Sequence, residues 1–166
     1  VVMTDINDAA IEAGRGTIQK SLQRLVRKER LTAADADAAL ARISTSTAIA
    51  SLGECGLVVE AATENVDLKL QIFSELSAAC GEDTLLASNT SSISIPKIAA
   101  ATARPENVIG MHFMNPVPIM KLVEIIRGLA TSDATCNDWT TADATACGNG
   151  KLFTTGSATA DSTCVN

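Results

Sequence analysis

At 166 residues, 46% hydrophobic and 19% charged, the chain has the length of about one domain and enough apolar material for a core, which excludes disorder throughout. A net charge of −6 and 2% aromatics exclude a general nucleic-acid binder and the stacking platforms of a single-strand binder, and no apolar run is long enough to span a membrane. Five cysteines without paired spacing fit a reducing compartment better than a disulfide scaffold, and a cytoplasmic location is expected.

The chain opens on Val1-Val2-Met3-Thr4-Asp5, a strand end running into an acid, with no initiator Met; a start upstream of Val1 is expected. Asn7 and Asp8 suit the cap of a helix from about Ala9, with Ile11, Ile18, Leu22, Leu25 and Val26 on one face. Gly14-Arg15-Gly16 lies inside that helical pattern, and Gln19 stands where a third glycine would be needed, so it is no phosphate-binding turn. Thr32 with Asp35 three residues later opens a short helix through Ala39, Leu40 and Ile43. Leu57-Val58-Val59-Glu60 reads as an apolar strand ending on an acid. Asn65 or Asp67 then starts a helix with Leu68, Ile72, Phe73 and Leu76 inward. Thr84-Leu85-Leu86-Ala87 is a strand leading into Ser88-Asn89-Thr90-Ser91-Ser92. Ser94 and Pro96 suit the cap and first turn of a short helix from Lys97 to Ala101. Val108-Ile109-Gly110-Met111 is a strand that delivers His112, and Leu122-Val123-Glu124-Ile125-Ile126 is the last. Beyond about Ala130 the composition breaks. Residues 131–166 hold nine Thr, three of the five Cys and one basic residue, Lys151, and no period survives. This is either an ordinary polar tail or a frameshift product, and the abruptness of the break favours the second. The expected organisation is a partial domain over 1–130 and an anomalous tail over 131–166.

Apolar strands alternating with helices indicate an α/β fold with a mostly parallel sheet covered on both faces, whose functional groups lie beyond the carboxyl ends of the strands. Asp5, Glu60, Glu64, the polar run from Ser88 to Ser92 and His112 fall there. Asp5 either caps the next helix or accepts hydrogen bonds from a dinucleotide's ribose hydroxyls, which would select NAD over NADP. His112 is the only histidine. Prolines 116 and 118 fix the chain's exit from it, and Glu124 on the next strand is a carboxylate where an apolar residue would be expected. His plus Glu orients an imidazole and stabilises its protonated form. The serine-rich run is either a turn or a set of donors aimed at a carbonyl or a nicotinamide amide. Arg15, Lys20, Arg24, Arg27, Lys28 and Arg30 form a solvated helix face or a landing site for a phosphate-bearing ligand. Ser94 and Lys97 match an S-x-x-K spacing whose companion motifs are missing. No metal site is expected, since Cys136, Cys147 and Cys164 have no second histidine to help them.

The stretch from His112 through Phe113-Met114-Asn115-Pro116-Val117-Pro118 to Glu124 resembles the signature of the 3-hydroxyacyl-CoA dehydrogenases. Val58-Val59-Glu60-Ala61 through Glu64-Asn65, and Ser88-Asn89-Thr90-Ser91-Ser92, resemble two further stretches of that family, and the likeness runs from Val1 to about Asp133. The resemblance implies a Rossmann-like, doubly wound sheet, here lacking its first strand, and NAD-dependent oxidation of a 3-hydroxyacyl-CoA such as 3-hydroxybutyryl-CoA in fatty-acid or butanoate metabolism. In that reading His112 takes the hydroxyl proton, Glu124 holds the imidazole, and Ser91 hydrogen-bonds the substrate oxygen near the nicotinamide. Asp5, Glu64 and Lys69 match NAD contacts, with Asn89 beside them; Ser21 and Lys28 match CoA contacts. The family's first strand and glycine-rich turn, its Pro-Gly-Phe stretch with a further catalytic Asn, and its C-terminal helical domain, through which a homodimer forms, are not in this sequence. The chain is therefore expected to be truncated at both ends. A module of a multifunctional β-oxidation protein, a non-catalytic fragment, and a dehydrogenase of small hydroxy acids on the same fold are the alternatives.

Overall fold

The computed structural model describes residues 1–131 and two further short strands at 152–155 and 162–165. By its internal contacts the chain divides after Leu52 into two compact units, Val1–Leu52 and Gly53–Asn166.

The first unit runs β1 (Val2–Thr4), α1 (Asp8–Arg27), α2 (Ala33–Ala41), β2 (Ser44–Ser46) and a short 3-10 turn, Ile49–Leu52. Asn7 caps α1 by accepting from the Ala10 N–H at 2.9 Å. Thr32 caps α2 reciprocally: it accepts from the Asp35 N–H at 3.1 Å and donates its hydroxyl to the Asp35 carboxylate at 2.7 Å. Gly14 and Gly16 lie within α1, as their helical spacing requires. β2 has no counterpart in the sequence reading. Ser44-Thr45-Ser46 carries no aliphatic residue, and it forms a strand because its backbone pairs in parallel with Val2-Met3-Thr4.

The second unit runs β3 (Leu57–Glu60), α3 (Val66–Ala79), β4 (Leu85–Ser88), α4 (Ile95–Ala99), β5 (Val108–Phe113), β6 (Val123–Arg127), β7 (Leu152–Thr155) and β8 (Ser162–Val165). The strands form one sheet in chain order. β3, β4 and β5 are parallel. β6 is antiparallel to β5, a departure from a uniformly parallel run. The cause is the short link: residues 114–122 are too few for the crossover of about a dozen residues or more that a parallel return needs. β7 pairs with β6 in parallel and β8 with β7 antiparallel. Otherwise the expected tail, apart from Thr131, lies outside the described residues. Thr131 itself is buried; it donates to the Val108 carbonyl at 2.8 Å and accepts from the Gly128 N–H at 2.7 Å.

The register sorts side chains onto two faces. Ala87, Ile109, Met111 and Ile125 make a buried cluster on one, flanked by Leu57, Phe113 and Val123. The other carries Val58 and Glu60 of β3, Leu86 and Ser88 of β4, and Val108 and Gly110 of β5, in adjacent rows. One step further along β5 on that face, His112 lies opposite Glu124. The helical phase of α3 departs from the sequence reading. Leu68, expected inward, is 38% exposed, whereas Lys69, Phe73 and Leu76 are buried. Asn65 sets that phase by accepting from the Leu68 N–H, and Lys69 is drawn inward by the acid at the end of β3. α4 likewise begins at Ile95 rather than Lys97, with no side-chain cap from Ser94.

Gly110 is closely packed between β6 and α4. A Cβ there would stand 2.9 Å from Ile126 Cβ and 3.0 Å from Ile95 Cδ1. Gly110→Ala should therefore destabilise by about 1–3 kcal/mol through overpacking. A lower urea midpoint at unchanged slope is the expected readout; an unchanged midpoint would mean that α4 yields freely.

Candidate active site

The site is built on the ends of β3, β4 and β5. Asn89, one residue past β4, ties these strands together. Its N–H donates to the Glu60 carbonyl at 2.8 Å, and its side-chain oxygen accepts from the Phe113 N–H at 2.9 Å. The turn at residues 90–92 is thereby held beside the end of β5.

Three side chains then form a line. Glu124 Oε2 lies 2.9 Å from His112 Nδ1, and Ser91 Oγ lies 3.1 Å from His112 Nε2. An ionised carboxylate only accepts, so Nδ1 carries a proton, and in the neutral ring Nε2 then presents its lone pair to the Ser91 hydroxyl. The imidazole is about one-fifth exposed and Glu124 about one-third, and the ring is held through Nδ1. The arrangement is that of a general base with an orienting carboxylate and an adjacent hydroxyl donor.

Below this line lies a second, charged group. Glu64 accepts from the Ser91 N–H at 2.6 Å and from the Thr90 hydroxyl at 2.8 Å. Its pKa is held below the ordinary 4.5 chiefly by the Ser91 N–H, then by the Thr90 hydroxyl, with the Lys69 and His112 charges adding to the effect against partial desolvation. Lys69 Nζ is fully buried, 2.7 and 2.9 Å from the two oxygens of Glu60 and 4.0 Å from Glu64 Oε2. Glu60 also accepts from the Ser88 hydroxyl at 2.7 Å. Thr90 Oγ1 in turn accepts from the Ile93 N–H at 3.0 Å.

Because Glu64 titrates lower in the folded chain than in the unfolded one, its contribution to stability is complete above 4.5 and is lost as pH falls through the lowered value. The stability difference between wild type and Glu64→Gln should therefore shrink on acidification below that value. As Glu64 is well exposed, salt should weaken it too. Urea unfolding at a series of acidic pH values checks this; a constant difference would show that the carboxylate does not hold Ser91.

The structure thus brings together, in the second unit, His112, Glu124, Ser91, Glu64, Asn89 and Lys69. Lys69 has its ammonium inside the protein, on Glu60, and Asn89 has its oxygen committed to the backbone of β5. Thr90, Ser88 and Glu60 went unrecognised as supports. Parallel pairing of the two strand ends, which sets Glu60 opposite Ser88, was the signal that could have found them. Asp5, Ser21 and Lys28 belong to the first unit. Asp5 is exposed just past β1, with one oxygen accepting from the Ile6 N–H at 2.7 Å. Ser21 is half-buried on α1, and Lys28 is its exposed C-terminal cap, where the helix dipole favours a cation. Among the described residues no group of acids, cysteines and histidine could hold a metal ion.

The family model "3-hydroxyacyl-CoA dehydrogenase, NAD binding domain" matches residues 1–148. The chain is 48% identical over 138 residues to a probable 3-hydroxybutyryl-CoA dehydrogenase of Bacillus subtilis, covering 83% of this chain and 48% of that protein. It is 46% identical over 133 residues to the fatty acid oxidation complex subunit alpha of Pseudomonas syringae, covering 80% of this chain and 18% of that one. Among solved structures, (S)-3-hydroxybutyryl-CoA dehydrogenase from Ralstonia eutropha superposes with a TM-score of 0.85 at 50% identity, over 94% of this chain and 55% of that one. The chain spans about half the length of the curated 3-hydroxybutyryl-CoA dehydrogenases it matches.

Proposed function

This chain belongs to the 3-hydroxyacyl-CoA dehydrogenase family through its NAD-binding domain, and from that membership we propose that it serves the oxidation of (S)-3-hydroxyacyl-CoA, such as 3-hydroxybutyryl-CoA, to the 3-ketoacyl-CoA. The observation that carries the reading is the line Glu124–His112–Ser91.

The residues fit NAD in two respects. Asp5 offers an exposed carboxylate just beyond a strand end, an acceptor for a ribose diol and a repellent for a 2′-phosphate. Nε2 of His112 lies beside a hydroxyl, a pairing suited to taking the proton of a carbinol as its hydride leaves. NAD, when bound, accepts the hydride from the carbinol carbon. His112 Nε2 takes the hydroxyl proton as the C–O bond becomes a carbonyl, and Glu124 stabilises the imidazolium that forms. Ser91, released from Nε2 by the entering hydroxyl, donates to the substrate oxygen. Lys28, with Ser21 two turns earlier on α1, is assigned to the CoA phosphates. Glu64, Asn89 and Lys69 are assigned to the cofactor side, the last two acting through the supports they hold.

The reading includes a cytoplasmic enzyme whose active form is a homodimer. No helix among the described residues is long and apolar enough to cross a membrane. The similarity to the Pseudomonas syringae subunit supports a second reading, in which the same chemistry belongs to a module of a multifunctional protein.

The test is NADH formation from (S)-3-hydroxybutyryl-CoA by the parent enzyme, with the family's glycine-rich turn and C-terminal domain in place, and kcat/KM is compared for NAD and NADP. Turnover with a clear preference for NAD is expected. Equal efficiency would remove Asp5 from cofactor selection, and turnover of small hydroxy acids but not of the CoA thioester would overturn the substrate class.

A further inference from the structure

The carboxylate at the end of β3 has no part in the chemistry above, yet it is the most heavily bonded acid in the site. Glu60 is buried and takes the Ala62 N–H, the Ser88 hydroxyl and the ammonium of Lys69. Lys69 reaches it from the first turns of α3 with a fully buried Nζ. Two carboxylates therefore flank one buried cation: Glu60 at 2.7 Å and Glu64 at 4.0 Å.

We infer that Glu60 is a positioning residue: by holding the Lys69 ammonium to itself, it leaves Glu64 on the backbone of Ser91 and so aims the Ser91 hydroxyl at His112. The reasoning is one of competition. A buried ammonium must have a carboxylate partner. While Glu60 supplies it, Glu64 is free to accept from the Ser91 N–H and the Thr90 hydroxyl. Without the Glu60 charge, Glu64 is the carboxylate already beside the ammonium. Moving onto Lys69 would strip Ser91 of its acceptor. Ser91 Oγ, 3.1 Å from His112 Nε2, would lose its fixed direction. The catalytic consequence rests on the proposed reaction; the displacement of Glu64 does not.

The test uses nuclear magnetic resonance on the chain itself, in which His112 is the only histidine and gives a single set of ring signals. In wild type the Ser91 amide proton should lie downfield and titrate in acid with Glu64. In Glu60→Gln it should move upfield, lose that titration and exchange with solvent about tenfold faster, the loss of one charge-assisted hydrogen bond. The His112 ring signals should move with it. The double variant Glu60→Gln/Lys69→Met has no buried cation to draw Glu64 away. There the Ser91 amide should return downfield and its acid titration should reappear at a slightly higher pH, since the Lys69 charge no longer lowers the Glu64 pKa. A purely structural role for Glu60 would leave the double variant at least as disturbed as the single one. An unmoved Ser91 amide in folded Glu60→Gln overturns the inference. So does a displaced one in the folded double variant, which decides the matter even if the single variant fails to fold. Since no readout involves turnover, a chain inactive on 3-hydroxyacyl-CoA can pass and an active one can fail.

Discussion

In the proposed parent enzyme, His112→Ala should lower kcat for 3-hydroxyacyl-CoA oxidation by about 10² to 10⁴, the range for a positioned acid–base group, with little change in NAD affinity. The geometry makes the residue hard to replace. Its Nδ1 is committed to Glu124 at 2.9 Å, so its basic lone pair is confined to Nε2, and Ser91 Oγ marks at 3.1 Å where an oxygen can approach. No other imidazole exists in the chain. The other titratable groups of the site have commitments of their own: Glu124 to the ring, Glu64 to Ser91 and Thr90, and Lys69 to Glu60. Glu124→Gln should slow turnover as well. A neutral amide can still accept from Nδ1–H, but it offers the imidazolium no counter-charge. Steady-state kinetics on the two variants, with calorimetric titration of NAD on each, separates chemistry from binding. Near-normal turnover in His112→Ala would remove it from the mechanism; a loss confined to NAD affinity would turn it into a cofactor ligand.

Lys69→Met should destabilise the fold by about 3–5 kcal/mol, the cost of leaving a buried carboxylate without its cation. The side chain removed is fully buried, and Glu60 is left with the Ser88 hydroxyl and the Ala62 N–H as partners. Packing contributes little to the loss, since Met approximates the Lys stem. Adding Glu60→Gln should recover most of the stability, because a buried ion pair is worth far less than the penalty for breaking it. Urea unfolding followed by far-ultraviolet circular dichroism on the two single variants and the double gives the coupling energy. Additive losses would show that the two charges do not act as a pair.

Several local features were legible beforehand. Asn7, Thr32 and Asn65 cap their helices because a short polar side chain ahead of an apolar-periodic run has few other uses. The pairing of His112 with Glu124 was legible because a carboxylate on an apolar strand must be satisfied by something close. Leu68 misled because hydrophobicity alone was used to phase α3. The buried partner of Glu60 had to come from that same helix, and a lysine with a long apolar stem could supply it. β2 was illegible because its three residues are held by backbone pairing, which leaves no mark in side-chain pattern.

The sequence by itself determined the α/β alternation, the strand ends at which polar groups gather, and the family signature around His112, since each depends on local composition and spacing. Tertiary structure alone decided which of those polar groups hold one another and which stay exposed. The antiparallel turn-back of β6 set Glu124 opposite His112, and the parallel register of β3 and β4 set Glu60 opposite Ser88. A buried charge takes its partner from whatever the packing brings within reach. That is a property of three-dimensional proximity, and it divided Glu60 and Glu64, four residues apart in the chain, into a buried anchor and an exposed clamp.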